Sequence, residues 1–337
     1  MSRKVLSVAV PSYNSAAYME HCIQTLLSAG ERIEILIVDD GSKDETGAIA
    51  DRYESAYPTI VKAIHQENGG HGEGVNTGIK NATGLFYKVV DSDDWVDEQV
   101  LKEVMDRLEE LGESVDMFVT NFLYDKVGVT HKKTMEYSKY MPVGRVFTWE
   151  EMKPFPVGKY LLMHAVIYRT EVLRQSGMVL PKHTFYVDNI FVFDPFPYVK
   201  HIYYLDKVLY HYYIGREDQS VNEKVMIGRL DQQMRVNRLM AQSYLKSAPK
   251  DGPLQKYMFN YLSIITTISS VLAIRSGTEE NLAKKKQLWE DIREMDEGLY
   301  SKLRHTILGV GVNLPGKAGR KIAVWVYKIS QKVYGFN

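Results

Sequence analysis

The sequence predicts an α/β fold: a mostly parallel sheet flanked by helices, followed by a helical C-terminal region. Three observations carry that expectation. Short β-branched runs alternate with helical patterns in the first half of the chain, as βαβ units do. Three of those runs end in polar or acidic residues, and in such sheets ligands lie beyond the carboxyl ends of the strands. After about residue 222 only long helical patterns remain.

In order, residues 5–10 read as a strand and 15–29 as a helix ending near Gly30. Residues 33–38 form a second strand, 43–57 a helix stopped by Pro58, and 60–64 a third strand. A glycine-rich turn follows, then a helix near 74–82, a strand at 85–90, a charged amphipathic helix at 97–111 and a strand at 115–120. Between about 126 and 156, Gly, Pro and mixed charge predict loops or a small antiparallel excursion. Residues 164–169, 202–205 and 208–213 read as strands, and 224–246, 254–275, 279–295 and 299–308 as helices. The boundary falls near 220, giving one domain at 1–220 and a helical region at 221–337 for substrate, oligomer or membrane-surface contacts.

The 337 residues suffice for about two domains, and 45% hydrophobic with 25% charged residues supports a packed core. Forty-two basic residues balance 42 acidic ones, which argues against nucleic acid as a partner. The single cysteine, Cys22, excludes a disulfide framework and a cysteine-based zinc site, and fits a reducing cytosol. The first apolar run is too short for a signal peptide. Residues 258–274 carry no formal charge, but Asn260, Ser263, Thr266, Thr267, Ser269 and Ser270 make them a buried or partner-facing helix rather than a span.

The strand ends are Pro11-Ser12-Tyr13-Asn14, Asp39-Asp40-Gly41-Ser42 and Asp91-Ser92-Asp93-Asp94. Two carboxylates at i and i+2 leaving a buried strand suit a shared Mg²⁺ or Mn²⁺ that also binds substrate phosphates. The alternative is a solvated acidic turn capping the helix that starts near Asp97. Asp40 is placed to hydrogen-bond a base or ribose, while Gly41 takes a positive φ and Ser42 or Asp44 caps the next helix. The loop Asn68-Gly-Gly70-His71-Gly-Glu-Gly74 lacks the Gly-Lys-Ser/Thr of a phosphate loop. Its glycines either admit close backbone approach to a nucleotide or sugar, or make a flexible surface turn. His71 reads as a phosphate contact or as a solvated loop histidine.

In combination, Val8-Ala-Val-Pro-Ser-Tyr-Asn14, Ile37-Val-Asp-Asp-Gly-Ser-Lys-Asp-Glu-Thr46, Asn68-Gly-Gly with Asn76 and Gly84, and Val90-Asp-Ser-Asp-Asp94 resemble family 2 glycosyltransferases of the GT-A fold. The resemblance covers about the first 100 residues strongly and continues more weakly to about 220. It implies a nucleotide pocket bordered by Pro11, Tyr13, Asn14, Asn68, Gly70 and Ser92, with Asp40 on uracil or a comparable base and Asp39 supporting the turn. It implies Asp91 on the ribose or the metal's water shell, and Asp93 on Mn²⁺ or Mg²⁺. Members invert the anomeric centre with a carboxylate base. Phe185-Tyr-Val-Asp188-Asn-Ile-Phe191 matches that motif, with Asp188 in the base position and Val187 where Glu is common. The other reading of Asp188 is a helix N-cap, and Asp194, before Pro195, is a second candidate base. The aromatic stretch from Val208 to Arg216, with Ser220, resembles a strand that closes over the diphosphate. There His211 would ligate the metal and Arg216 would clamp phosphate, unless the tyrosines are core and Arg216 a surface charge. Val75 departs from the family, where many members have Arg.

The expectation is an inverting, metal-dependent transferase that moves one sugar from a nucleotide donor, UDP by resemblance. The acceptor would be a hydroxyl of a glycan or lipid-linked molecule in bacterial cell-surface polysaccharide assembly. Processive synthases carry several spans and a Gln-x-x-Arg-Trp motif, and neither occurs here. The alternatives are a non-catalytic, degenerate subunit and a sugar nucleotidyltransferase, which would carry a basic Gly-rich loop after the first strand. Lys317, Arg320, Lys321, Lys328 and Lys332 lie among Ile322, Trp325 and Tyr327. That pattern reads as a helix for an anionic membrane surface or as a packed helix with a basic edge. The chain is thus expected in the cytoplasm, peripheral at the inner face of the plasma membrane, with the 258–274 helix available for homo-oligomer contacts.

Overall fold

A computed structural model describes residues 4–126, 132–214 and 222–334. The chain divides into two compact units, Met1–Lys153 with Leu161–Ile214, and Pro154–Tyr160 with Gly215–Asn337.

The first unit runs β1 (Leu6–Ser12), α1 (Met19–Leu27), β2 (Ile33–Asp39), α2 (Thr46–Ala56), β3 (Val61–His65), α3 (His71–Asn81), β4 (Phe86–Val89), β5 (Trp95–Val96) and α4 (Glu98–Leu111). It continues with β6 (Met117–Lys126), β7 (Lys133–Met135), β8 (Val146–Phe147), β9 (Val166–Arg169), α5 (Thr170–Ser176), α6 (Asp188–Phe193) and β10 (Ile202–Ile214). All ten strands form one sheet, ordered β3-β2-β1-β4-β9-β6-β10-β5, with β7 on β6 and β8 on β10. The four strands from β3 to β4 are mutually parallel, and β10 is parallel to β6. β9 enters antiparallel between β4 and β6. Every residue of β1 is buried, as expected of a parallel strand covered on both faces. The loose stretch after residue 126 supplies the small antiparallel additions β7 and β8.

The first unit differs from the sequence expectation in several details, and three of them bear on the site. β10 is one strand, because register shifts around Leu205, Val208 and Tyr210 absorb the exposed pair Asp206-Lys207 as a bulge. β9 starts at Val166, and His164 sits in the single helical turn before it. α3 starts at His71 because Gly70, at φ +83°, turns the chain and its carbonyl accepts the Glu73 and Gly74 amides.

α3 crosses β1 closely at Gly78, where an added Cβ would lie 2.5 Å from Ala9 Cβ and against the Tyr87 hydroxyl. That hydroxyl is already fixed on the Val75 carbonyl at 3.0 Å. Gly78→Ala is therefore expected to lower stability by about 1–3 kcal/mol through overpacking, measured as a lower urea midpoint at unchanged slope.

The second unit is helical: α7 (Glu223–Gly228), α8 (Leu230–Ser247), α9 (Gly252–Ser276), α10 (Glu279–Met295), α11 (Glu297–Arg304), α12 (Ile307–Val312) and α13 (Gly316–Tyr334). Two expected helices are each divided. The first breaks between Gly228 and Leu230, and in the second Thr306 caps α12 by accepting the Gly309 amide at 2.9 Å. α9 is apolar and long enough to cross a membrane, but 72% of its most apolar stretch is buried. Its hydroxyls are satisfied locally: Thr266, Thr267, Ser269 and Ser270 each donate to the carbonyl four residues back. Asn237 and Trp289 from α8 and α10 donate to Thr266 and Ser270, so neighbouring helices also complete this polar face.

Candidate active site

The site grows from the carboxyl ends of β1, β2 and β4. Beyond β1, Asn14 takes a left-handed φ of +50°; its amide donates to Ser42 Oγ at 3.0 Å and its Oδ1 accepts the Lys43 amide at 2.9 Å. The loops after β1 and β2 are thereby tied together. Pro11 is buried below the tie, and Tyr13 stands half-exposed at the rim. Gly41 has φ +72°, and Asp44, one residue before the N-cap Glu45, accepts the Thr46 amide at 3.0 Å where α2 begins.

The two acidic residues after β2 have separate tasks. Asp39 accepts from the Ser42 amide and His65 Nδ1, both at 3.0 Å. Burial works to raise its pKa, but those hydrogen bonds outweigh it and hold the carboxyl below its ordinary value. Asp40 is 3% exposed and accepts from Gln66 Nε2 at 2.7 Å and from the Gly69 and Gly70 amides at 2.8 and 2.7 Å. Asn68 Nδ2 donates to the Asp40 carbonyl at 2.8 Å. The carboxylate placed by sequence on the nucleotide base thus also latches the glycine-rich loop.

That loop is held on its other side by the chain segment that precedes α6. The His183 amide donates to the Gly69 carbonyl at 2.7 Å, and a Cβ on Gly70 would lie 3.1 Å from the His183 backbone. A Cβ on Gly72 would meet Leu180, the Pro181 carbonyl and Val187 at 3.0 to 3.3 Å. The close approach that glycine permits is made here by the protein itself. Asn76 completes the attachment: its Nδ2 donates to the Leu180 carbonyl at 2.9 Å and its Oδ1 accepts the Leu180 amide at 3.0 Å. His183 and Tyr186 have φ of +48° and +66°, a conformation that side-chain-bearing residues adopt only when held. Asn76→Ala is expected to release this segment, lowering kcat by about 10- to 100-fold with nucleotide affinity little changed, because small misplacements of a reacting group are costly. Steady-state kinetics beside UDP calorimetry checks that split.

The held segment delivers Asp188 to the start of α6. Burial raises its carboxyl to about 6; His71 pulls the other way and Asp91 adds to the rise. His71, on the first turn of α3, faces Asp91 Oδ1 at 2.8 Å. Burial opposes its charge, but Asp91, Asp188 and Asp93 outweigh that and raise its pKa. Asp91 is buried enough for desolvation to push its carboxyl up, yet His71, His164 and Lys88 leave it below the ordinary value. Asp91, His71 and Asp188 therefore form one charged group.

Beneath that rim lies a layer that the motifs did not reveal. Asp94 is buried, accepting from the Tyr210 hydroxyl and the Tyr213 amide, and its pKa is pushed well up by burial and by Asp93 and Asp91. Lys88, inside β4, is 1% exposed; its Nζ donates to the His164 carbonyl at 2.8 Å, and burial lowers its pKa to about 7. His164 stacks on Tyr210 with centroids 4.7 Å apart, its Nδ1 is buried with no hydrogen-bond partner, and burial lowers its pKa to about 4. A lysine in the middle of Phe86-Tyr-Lys-Val-Val90 was the one sequence signal for this layer.

Among the described residues, Asp91, Asp94 and His164 each offer a ligand atom within 4.8 Å of the others. Two carboxylates and an orphaned buried imidazole fit a divalent cation chemically. Asp93, assigned to the metal by resemblance, is not in that group; its charge acts on His71 and Asp94. His211 is not in it either, since alternation along β10 turns it away from Tyr210 and Tyr212 to stack on Trp95 at 5.4 Å, with Nδ1 3.5 Å from Asp125. Ser92 turns inward, its hydroxyl 2.8 Å from that of Ser15. Asn68 is exposed beside the Asp40 latch. Arg216 and Ser220 lie outside the described residues.

Comparison with known proteins agrees with this architecture. The family described as Glycosyl transferase family 2 matches residues 7–171. EpsJ of Bacillus subtilis, an uncharacterized glycosyltransferase, is 29% identical over 219 residues, covering 62% of this chain and 60% of EpsJ. The glycosyltransferase GlyG of Streptococcus pneumoniae is 36% identical over 126 residues, covering 36% of this chain and 41% of GlyG. The chain thus spans less than two thirds of the length of these relatives. The crystal structure of Staphylococcus aureus TarS 1–349 in complex with UDP-GlcNAc superposes with a TM-score of 0.69 at 21% identity, covering 98% of this chain and 91% of that one. The GT-A fold accounts for the parallel strands, and the TarS match extends over the helical region that follows. The family match identifies residues 7–171 of this chain as a glycosyl transferase family 2 domain.

Proposed function

We propose that this chain transfers a single sugar from a UDP-sugar to a hydroxyl of a glycan or lipid-linked acceptor, with inversion, in the assembly of a bacterial cell-surface polymer. The observation that carries the reading is the convergence of Asp91, His71 and Asp188 at the strand ends, with Asp188 at a pKa of about 6. A carboxylate near neutrality is matched to accepting a proton from a hydroxyl. Similarity to TarS, a poly(ribitol-phosphate) β-N-acetylglucosaminyltransferase crystallised with UDP-GlcNAc and with UDP, supports the UDP donor and the cell-surface setting.

In this mechanism the nucleotide lies across Pro11, Tyr13, Asn14 and the Asp40 loop, its diphosphate toward Asp91 and His71. Asp91 at the rim and Asp94 and His164 below are the residues that would hold Mn²⁺ or Mg²⁺. Such an ion, when bound, neutralises charge growing on the leaving diphosphate. Lys88 and His71 keep Asp91 ionised. Asp188 takes the acceptor hydroxyl proton as that oxygen bonds to the anomeric carbon. The bond from that carbon to the diphosphate breaks on the opposite face, and its electron pair leaves with the nucleotide. Membrane association at the inner leaflet is part of the proposal, supported by Ile322 and Trp325 standing 51% and 64% exposed on α13 next to the exposed Lys317 and Lys321.

The test is nucleotide release from a panel of nucleotide sugars, with calorimetry of UDP in Mn²⁺. Turnover of a UDP-sugar supports the transferase. Absence of both turnover and UDP binding would leave a degenerate subunit as the better reading, and pyrophosphate release from a nucleoside triphosphate would indicate a nucleotidyltransferase.

A further inference from the structure

The helical unit contains a cavity of about 320 Å³ between α9, α10, α11 and α13, in the range that holds small ligands. Its apolar side includes Ile274 and Trp289, and its polar side is cationic: Lys285, Arg304 and Arg320, with Lys286 at the exposed edge. Lys285 donates to Asn313 Oδ1 at 2.7 Å, a neutral partner. Neither Lys285, Arg304 nor Arg320 has a carboxylate partner among the described residues. The acid at the cavity, Glu290, is 4.0 Å from Arg293 instead. Burial, then the repulsion of Arg304 and Arg320, lowers the Lys285 pKa to about 8, so the three groups share one electrostatic environment. Converging cations without a counter-ion oppose folding unless an anion joins them, and guanidinium groups match phosphate oxygens in a bidentate manner.

We propose that this cavity binds the phosphate group of a phosphorylated ligand through Lys285, Arg304 and Arg320, with its apolar wall contacting the body that carries the phosphate. The described residues of the donor site all belong to the first unit, and none of them lines this cavity. It gives the helical unit a recognition task of its own.

Titration of the full chain with inorganic pyrophosphate in EDTA tests this. Wild-type protein is expected to bind, and Arg304→Gln with Arg320→Gln to weaken binding by about tenfold or more, since two charge-assisted contacts are lost. His71→Gln, which removes the cation of the donor site, is expected to leave this binding intact. Arg320→Gln alone, on a half-exposed position, keeps the test decisive if the double variant does not fold, with a loss of about threefold or more. No binding by wild type, unchanged binding in the arginine variants, or loss confined to His71→Gln would each overturn the proposal. Phosphatidylglycerol vesicles identify the source of the phosphate. Displacement of pyrophosphate by them, and not by phosphatidylcholine, supports the site as one for a lipid headgroup. Binding that such vesicles leave unchanged supports it as one for a soluble phosphorylated ligand.

Discussion

Asp188→Asn is expected to lower turnover by about 10²–10⁴-fold, the range general-base catalysis contributes, while UDP affinity stays near that of wild type. The amide keeps the shape and the helix-start position but cannot take a proton. In the parent protein the rate should rise with pH through about 6 and level off above it, since only the ionised carboxyl accepts the acceptor proton. The groups that set this pKa are the burial of Asp188 itself, His71 on α3 and Asp91 after β4, and Asp188 in turn acts on Tyr212 of β10. His71→Gln removes the opposing cation and should move the ascending limb to higher pH. A pH profile of kcat for the three proteins checks both statements, and a variant at Asp188 retaining full turnover would assign the base elsewhere, with Asp194 next to be examined.

EDTA, or Asp91→Asn, is expected to reduce turnover by about 10²–10³-fold, the scale on which fixed charge stabilises a departing anion. Asp91 sits at the rim with its pKa held below the ordinary value, so it is ionised throughout the neutral range. Asp94 makes the informative contrast. Its oxygens are engaged by Tyr210 and Tyr213, so Asp94→Asn should lower stability as well as activity, by about 1–3 kcal/mol for a disrupted buried hydrogen bond. If both losses arise from one event, Asp91→Asn in EDTA should be no slower than either alone. Full activity in EDTA would remove the cation from the mechanism.

Much of this arrangement was legible because its causes are local. The β-branched runs ending in Asn14, Asp40 and Asp91 announced parallel strands and the rim together, since short apolar runs need burial and the polar residues after them cannot share it. Asp188 was legible by motif alone; its elevated pKa was not, since desolvation depends on the surrounding fold. His164 and Lys88 escaped notice because they lie 76 residues apart and meet through sheet pairing of β4 with β9. His211 was assigned to the metal by resemblance, yet the phase of β10 directs it toward Trp95, and a one-residue difference in register decides such a question. The loop glycines were seen as room for a ligand. They equally made room for residues 180–187, a partner more than 100 positions away.

The Asp40 latch changes how mutational data at this locus should be interpreted. Asp40→Ala would strand the Gly69 and Gly70 amides and loosen the backbone that holds His183, so weaker donor affinity and slower chemistry would arrive together. A combined loss in that variant is therefore no measure of base discrimination. The informative perturbation is in the ligand. Uridine, cytidine and guanosine diphosphates compared on the unaltered protein vary the base while leaving the Asp40 latch untouched.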